Sequence, residues 1–249
     1  CVSLKQAKYL LKRLEERFLS DEHKVVVYLG SKSCTVTIKV ENCKVTEEGK
    51  TAMLAFLESD ASILRYFNEQ YNLNYKPEDF SEELSLHADI GDGTSEFVYV
   101  DGYSPVPDAS RGLQKGVGHA ANDAIELYRE ELGGRVGNIT RQHFMDLTKG
   151  KNTKAEIARE QLARAKSIQA MTIADSIENF FQSLTSSNAD YFFVHGGGSI
   201  VFKENLYPRL LEFANSVQST VVWIPEEFAA SLNSRGTFYL AQLMFCNKK

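Results

Sequence analysis

Residues 84–100 read LSLHADIGDGTSEFVYV: an apolar strand runs into Asp89, two glycines and Thr94, and a second alternating strand follows directly. An Asp-Gly pair between two strands is a common hairpin turn. This turn also offers backbone amides without neighbouring Cβ atoms, a hydroxyl group and two carboxylates. Such amides form a nest for anions, and a carboxylate beside them can hold a hydrated divalent cation. The pattern predicts a hairpin and leaves open whether the turn also binds a phosphate group together with Mg²⁺.

A second glycine-rich turn follows later in the chain, where residues 192–199 read FFVHGGGS. This pattern predicts a strand, a tight turn and the beginning of a helix. One glycine is enough for such a turn, so three in a row favour close approach of a ligand to the backbone. The expected ligand is flat or anionic, since a helix N-terminus attracts negative charge. His195 precedes the glycines and is interpreted as a structural histidine at the end of a strand.

Two acidic residues mark a third junction, where a predicted strand ends near residue 46 and a predicted helix begins at residue 50. They are Glu47 and Glu48, and Gly49 follows them. The helix dipole stabilises acidic side chains in the first turn of a helix. Taken alone, these residues therefore favour a structural role for the two carboxylates.

The alternation of strands and long helices along the chain predicts an α/β fold. Residues 68–83 are expected to form a linker, and Pro105 and Pro107 to lie in a loop. The hydrophobic periodicity predicts helices at 3–19, 50–67, 115–132, 139–147, 154–184, from the glycine triplet to 214, and 228–241, and strands at 24–29, 35–40, 191–195 and 220–224, with a strand pair over 84–103.

The composition of the 249 residues limits the possible functions. A formal net charge of −5 argues against a nucleic-acid-binding surface spread over the chain. No apolar run approaches the roughly 20 residues that a membrane-spanning helix needs, so we expect no membrane partner. The cysteines lack a CxxC pair, and we expect reduced thiols in a cytoplasmic protein rather than a disulfide between Cys34 and Cys43.

Taken in their order, the three junctions resemble the motifs of the actin-type ATPase superfamily, which includes actins, DnaK-type chaperones and sugar kinases. Residues 89–94 match the second phosphate motif of the superfamily, and residues 193–199 match its adenosine motif. Within the superfamily, the chain is most similar to the bacterial plasmid-segregation actins of the ParM/StbA type. The segments that carry this similarity are 35–39, 43–49, 108–112 and 233–241.

The resemblance implies a role for each of these residues. Asp89 would hold Mg²⁺ through a water molecule, and Glu48 would be the catalytic residue that orients or activates the attacking water. The hairpin turn would wrap the β- and γ-phosphates, with Asp92 reaching toward the ribose, and the glycine-rich turn would pass against the adenosine and the α-phosphate. The first turn contributes Gly91, Asp92, Gly93 and Thr94, and the second contributes Gly196, Gly197, Gly198 and Ser199.

The resemblance also implies the cofactors, which would be Mg²⁺ and ATP, with GTP left open. The contacts to the adenine ring are expected from the long helix near residues 154–164. No single residue of that helix is assigned to the base, and the base that the site prefers is therefore not predicted.

An actin-like, ribonuclease H-like α/β fold with two lobes follows from the same resemblance. Residues 1–83 would form part of the first lobe, and 84–228 would form the complete second lobe, with a small outer subdomain at about 113–153. Residues 229–249 would form a C-terminal helix that packs back toward the first lobe. The first phosphate motif of the superfamily, an Asp-x-Gly hairpin, is missing from the sequence. We therefore expect a first lobe truncated at its N-terminal half and a chain that hydrolyses nucleotide poorly by itself.

The function implied by the resemblance is an ATPase that forms ATP-dependent filaments for the segregation of a plasmid or another replicon. Its partners would be further copies of itself and a DNA-bound adaptor protein, without direct binding to nucleic acid. Two alternatives stay open, namely a sugar or acetate kinase of the same superfamily and a non-catalytic scaffold with the actin fold. The kinase would need a substrate-binding base and carboxylates in the first lobe, which the chain lacks.

Overall fold

The computed structural model describes residues 4–46, 50–58 and 62–246. These residues form helices α1 to α9 and strands β1 to β7, together with one 3₁₀-helix and one short π-helix. In chain order the elements are α1 Leu4–Ser20, β1 His23–Leu29, β2 Lys32–Ile38, α2 Lys50–Glu58, α3 Ser62–Tyr71, the 3₁₀-helix Pro77–Glu82, β3 Leu84–Ile90, β4 Ser95–Asp101, β5 Ser104–Leu113, α4 Val117–Glu131, α5 Arg141–Thr148, α6 Thr153–Ser183, β6 Tyr191–His195, α7 Gly197–Ser216, β7 Thr220–Trp223, α8 Glu226–Ala229, α9 Leu232–Ala241 and the π-helix Gln242–Cys246.

The central element is a five-stranded sheet with the order β5-β4-β3-β6-β7. Strands β3, β4 and β5 form an antiparallel meander, whereas β3, β6 and β7 run parallel to one another. Parallel neighbours require crossover connections, and here helices provide them. Strand β3 lies at the centre, so its carboxyl end meets both its hairpin partner β4 and the end of β6.

Each face of this sheet is covered by its own hydrophobic core. On one face, residues of β3, β4, β6 and β7 pack against α6 and α7, with Phe97, Phe192 and Ile177 among the buried side chains. On the other face, the alternate residues Tyr191 and Phe193 of β6 pack against α2, α3 and the 3₁₀-helix. Side chains alternate between the two faces of a strand, which is why β6 contributes to both cores.

A third core lies away from the sheet, among helices α4, α5 and the first half of α6. Its centre is a ring contact between Tyr128 and Phe144, both almost completely buried. Helix α5 begins at a true N-cap, because the Thr140 hydroxyl oxygen accepts a hydrogen bond from the His143 amide at 3.2 Å. Asn152 caps α6 in the same way through the Ala155 amide, at 2.9 Å.

Strands β1 and β2 form a separate two-stranded sheet. Their register pairs His23 with Ile38 and Leu29 with Lys32. All residues of β2, and all of β1 except His23, are exposed. Tyr28 and Leu29 are 76% and 71% exposed, so this hairpin takes no part in the three cores among the described residues.

Several predicted elements have different bounds in the structure. The strand predicted to end at the third junction is not seen at residues 43–46, the described part of that segment. There the Val45 amide donates to the Glu15 carboxylate at 2.9 Å and Lys44 pairs with the same carboxylate at 3.0 Å. Two helices, α2 and α3, occupy the range predicted as one helix at 50–67, and the predicted linker at 68–83 contains the end of α3 and the 3₁₀-helix. The last predicted helix is divided into α8 and α9.

The loop predicted at Pro105 and Pro107 is wrong, since both residues belong to strand β5. This strand lies at the edge of the sheet and has a neighbouring strand on one side only. A proline, which has no amide hydrogen, is tolerated there because no strand on the open side requires a backbone hydrogen bond. The pairing between β4 and β5 also shifts register between Val98 and Val100, and Asp108 has a positive φ of 61°. Prolines are therefore accommodated by an irregular edge strand rather than by a loop.

Three of the cysteines lie in the described part of the chain. Cys34, Cys43 and Cys246 are all free thiols there, and Cys34 and Cys246 are exposed. No helix among the described residues is long and apolar enough to span a bilayer.

Candidate functional site

The two glycine-rich turns predicted from the sequence lie side by side. Asp89, the next-to-last residue of β3, is paired in parallel register with His195, the last residue of β6. The carboxyl ends of neighbouring parallel strands meet at the same edge of a sheet, and ligands of open α/β sheets bind outside that edge. The turns that follow Asp89 and His195 are therefore neighbours.

The hairpin turn, residues 91–94, is closed by a hydrogen bond from the Gly91 amide to the Thr94 carbonyl at 2.8 Å. The carbonyls of Gly91 and Asp92 accept from the amides of Val117 and Gly118 at 3.2 and 2.9 Å. Helix α4 thus begins directly on the turn and holds its carbonyls toward the protein interior.

The opposite side of the hairpin turn is open. Asp92 and Gly93 are exposed, and a Cβ atom built on Gly93 would have no atom within 4 Å. Within the described part of the chain, no hydrogen bond engages the amides of Asp92, Gly93 and Thr94. Free amides beside a bare glycine are the arrangement that binds an anion.

The glycine-rich turn, residues 196–198, is shaped by its contact with the end of β3. Gly196 has a φ of +85°, and a Cβ there would strike the Asp89 carboxylate and the Ile90 backbone. A Cβ on Gly198 would lie 2.6 Å from the Ile90 side chain and 3.0 Å from the Gly91 carbonyl. Two of the three glycines are therefore needed for packing between the two turns.

Gly197 differs from its neighbours, because it is exposed and its nearest neighbour would be Ala230 at 4.0 Å from a built Cβ. Ser199 is completely buried, and its hydroxyl donates to the Gly196 carbonyl at 2.8 Å. Of the residues predicted at the adenosine, Gly197 is the one that faces open space. The ligand contacts of Gly196, Gly198 and Ser199 stay predictions.

Asp89 lies between the two turns, with its side chain 19% exposed. One carboxylate oxygen accepts a hydrogen bond from the Asn233 side-chain amide at 2.5 Å, and the other lies 3.7 Å from His195 Nδ1. Asn233 is not among the residues predicted for this site from the sequence. No periodicity connects residues of β3 and α9, so the contact becomes visible only when the chain is folded.

Two buried histidines stand behind Asp89 on the same face of the sheet. His87 stacks on Phe193 with ring centroids 4.7 Å apart, and burial holds its pKa well below the ordinary value. Burial also lowers the pKa of His195, although the Asp89 carboxylate opposes this effect. Both imidazoles are therefore neutral at neutral pH, and the negative charge of Asp89 is not balanced by an imidazolium.

A cation close to the site comes from the outer helices. Arg141, the first residue of α5, reaches Asp92 at 3.4 Å and donates from Nε to the Asn122 side chain at 2.7 Å. Because Arg141 and Asp92 are 48% and 74% exposed, the pair contributes little to stability. The Arg141 guanidinium lies between the Asp92 carboxylate and Gly118 at the beginning of α4.

Two predicted parts of the site remain predictions. Glu48, the predicted catalytic residue, lies outside the described residues, as do Glu47 and Gly49. The range 154–164, expected to contact the base, lies on the first half of α6, where Ala158 is buried in the third core. Among the described residues, no group of three or more His, Cys, Asp or Glu side chains is arranged to hold a metal ion.

Comparison with known proteins gives a clear answer at the level of the fold. No protein-family model and no curated protein sequence matches the chain. Among solved structures, a non-polymerisable quadruple mutant of pCBH ParM is 15% identical, with a TM-score of 0.69 over 98% of this chain and 67% of the other. The archaeal actin homolog Ta0583 in complex with ADP is 18% identical, with a TM-score of 0.66 over 96% and 69% of the two chains.

A third similar structure is that of Bacillus thuringiensis ParM with ATP, at 16% identity and a TM-score of 0.62 over 96% of this chain and 64% of the other. The chain thus spans about two thirds of the length of these proteins. Likeness at such low identity establishes the fold, and function has to be argued from the site. The prediction of an actin-like α/β fold is confirmed.

Proposed function

We propose that the chain binds a nucleoside triphosphate with Mg²⁺ at the two adjoining turns. The observation that carries this proposal is the position of Asp89, half-buried between a turn with free amides and a glycine-rich turn at a helix N-terminus. Mg²⁺ bound to nucleotides takes one or two carboxylates and completes its shell with phosphates and water. The names of two similar structures state that those proteins contain ADP and ATP, which supports the choice of ligand.

In this proposal each turn has a separate task. The amides of Asp92, Gly93 and Thr94 bind the β- and γ-phosphates, and Asp92 reaches toward the ribose. Gly197, at the N-terminus of α7, lets the adenosine and α-phosphate approach the backbone. Asp89 holds one of the water molecules of Mg²⁺. ATP is the proposed nucleotide, and GTP is the alternative.

The proposed chemistry is hydrolysis of the bound nucleotide, with Glu48 as the residue that orients or activates the attacking water. Phosphoryl transfer needs mainly positioning and charge stabilisation, which a single carboxylate and a magnesium ion can supply. Since no Asp-x-Gly hairpin of the first phosphate motif is found in the sequence, we propose that this chain hydrolyses nucleotide slowly by itself.

Filament formation is the proposed use of that hydrolysis. In this model ATP favours assembly, hydrolysis weakens the filament, and the filament moves or separates a plasmid or another replicon in the cytoplasm. A DNA-bound adaptor protein makes the link to DNA, in keeping with the net charge of −5. One similar structure is described as a non-polymerisable mutant of a ParM protein, which makes polymerisation a reasonable property to test here.

Titration of the chain with ATP, in the presence of Mg²⁺, tests nucleotide binding directly. Asp89→Ala should weaken the affinity by about 10- to 100-fold, the usual cost of losing a residue that orients metal-bound groups. Asp101→Ala is the matched control, since Asp101 is an exposed carboxylate at the other end of the same hairpin. The absence of binding by the unaltered chain, or equal affinities for the two variants, would overturn the proposal.

Sedimentation with and without ATP separates the filament-forming protein from the alternatives. Pelleting that depends on ATP favours a filament. Binding of nucleotide without pelleting, together with transfer of phosphate to a sugar or to acetate, favours a kinase. The absence of both binding and pelleting favours a scaffold.

If the chain hydrolyses ATP at a measurable rate, Glu48→Ala should slow this hydrolysis by about 100-fold or more, because general acid–base groups typically contribute that much. Assembly with ATP should persist, since the carboxylate acts after the nucleotide is bound. A phosphate-release assay and sedimentation measure the two properties side by side. Glu47→Ala is the control, and unchanged turnover in Glu48→Ala would remove Glu48 from the proposed site.

A further inference from the structure

Asn233 makes the closest polar contact of Asp89 and is not part of either glycine-rich turn. It lies in the first turn of α9, where its Nδ2 donates to Asp89 Oδ2 at 2.5 Å. Its backbone carbonyl accepts from Thr51 Oγ1 at 3.1 Å, and its side-chain Oδ1 lies 3.4 Å from the same hydroxyl. We infer that Asn233 is a positioning residue, which orients Asp89 for the cation and links it through Thr51 to α2.

The packing of α9 on α2 makes this link possible. Gly236 follows Asn233 by one helical turn, and a Cβ atom there would collide with the Thr51 carbonyl. The backbones of α9 and α2 are therefore in close contact at this point, which places Asn233 beside Thr51. Thr51 is only 2% exposed, so its hydroxyl needs a protein acceptor, and Asn233 provides it.

An amide side chain suits this position for a chemical reason. A carboxylate is only an acceptor, whereas the amide of asparagine can donate from nitrogen and accept at oxygen at the same time. Asn233 thus donates to Asp89 from its side chain, while the Thr51 hydroxyl has the Asn233 backbone carbonyl at 3.1 Å and the side-chain Oδ1 farther away at 3.4 Å. Because the hydrogen bond holds one carboxylate oxygen, the orientation of the whole carboxylate is fixed, and its second oxygen lies 3.7 Å from His195 Nδ1.

The link has a consequence for the proposed reaction, and this step rests on the proposed function. Thr51 lies in the first turn of α2, three positions after Glu48 in the sequence. A cation bound at Asp89 would therefore be connected, through Asn233 and the Thr51 hydroxyl, to the helix that follows the proposed catalytic residue. Asn233 joins the two parts of the site that bind the cation and position the attacking water.

The first experiment compares the affinity for ATP with Mg²⁺ and with EDTA in the unaltered chain, Asn233→Ala and Asn233→Asp. Asn233→Ala should reduce the gain in affinity that Mg²⁺ provides by about 10-fold and leave the affinity in EDTA unchanged. Asn233→Asp keeps the size of the side chain but removes the amide donor that holds Asp89, so the carboxylate orientation that Asn233 provides should be lost in this variant as well. A merely structural role would lower both affinities together and would overturn the inference.

Two further variants complete this comparison. Ser234→Ala is the control on α9, because Ser234 is exposed and its hydroxyl donates only within its own helix, to the Ser231 carbonyl. It should match the unaltered chain. Thr51→Val removes the hydroxyl group but keeps the shape of the side chain, and it should reduce the gain in ATP affinity from Mg²⁺ by about 3-fold. In the double variant with Asn233→Ala, the gain should equal that of Asn233→Ala alone. If Asn233→Ala keeps the full gain in ATP affinity that Mg²⁺ provides, the inference is contradicted.

The second experiment needs no nucleotide. Denaturant unfolding of Asp89→Ala, Asn233→Ala and the double variant measures whether the two residues are coupled. We expect the double variant to be less destabilised than the sum of the single variants, and additive effects would overturn the link. If the unaltered chain binds no nucleotide, the proposed function fails, while this cycle still decides whether Asn233 positions Asp89.

Discussion

At the scale of single residues, the glycines of the two turns serve different purposes. A side chain on Gly198 would enter space already occupied by Ile90 and the Gly91 carbonyl, whereas a side chain on Gly93 would meet no atom within 4 Å. Gly93 also has no left-handed φ that would favour glycine. The protein itself therefore requires Gly198, while Gly93 is left free for a ligand.

Gly93→Ala should keep the free energy of unfolding within about 0.5 kcal/mol of the unaltered chain. The added methyl group would occupy the space proposed for a phosphate, so the affinity for ATP with Mg²⁺ should fall. Gly198→Ala should instead destabilise the fold by about 1–3 kcal/mol through overpacking. Denaturant unfolding and ATP titration measure both effects. Unchanged ATP affinity in Gly93→Ala would show that the hairpin turn does not hold the phosphates.

The residues of the site were predictable to different degrees. The hairpin around Asp89 and the strand that ends at His195 were visible in the sequence, because each combines an alternating strand with glycines in a fixed order. The sequence did not indicate that Gly196 and Gly198 are held against β3, since glycines required by a ligand and by packing look the same. Asn233 was missed because its contact with Asp89 joins distant parts of the chain.

At the scale of elements, the contact between α2 and α9 depends on a single small residue. Gly236 is buried where α9 crosses the backbone of α2 at Thr51, and the obstacle to a larger side chain is a backbone carbonyl rather than a mobile side chain. Backbone atoms cannot move aside by changing a rotamer. The two helices would have to separate to admit even one methyl group.

Gly236→Ala should destabilise the protein by about 1–3 kcal/mol, because the helices lose close packing that they cannot recover. The position of Asn233 should shift with α9, so the gain in ATP affinity from Mg²⁺ should fall as well. Gly137→Ala is the matched control, since a Cβ on this exposed glycine would have no neighbour within 4 Å. Equal unfolding free energies for the two variants would contradict the role assigned to Gly236.

The elements themselves were predicted best where the sequence periodicity is strong. Strand β6 was predicted with its observed bounds, and α6 was predicted to within one residue at each end. The proline-containing strand β5 was missed, because proline normally ends a strand and only the position at the sheet edge makes it tolerable. Whether a strand lies at an edge is decided by the whole sheet and not by its own sequence.

At the scale of the whole molecule, the chain combines a well-packed body with a separate hairpin. The five-stranded sheet is covered on both faces by buried side chains, whereas among the described residues β1 and β2 pair only with each other and belong to none of the three cores. A two-stranded hairpin without a covering layer is at most marginally stable in water. The two parts of the molecule should therefore differ in how readily their backbone hydrogen bonds open.

Amide hydrogen exchange measures this difference. We expect the amides of β1 and β2 to exchange at least about 100-fold faster than those of β3 and β6, because a local opening costs much less than unfolding of the central sheet. The measurement compares peptides that cover 23–38 with peptides that cover 84–90 and 191–195 at several protein concentrations. Protection of the hairpin equal to that of β3 at every dilution would contradict the expectation. Protection that is lost on dilution would instead place a second copy of the chain against Tyr28 and Leu29, the most exposed apolar residues of the hairpin.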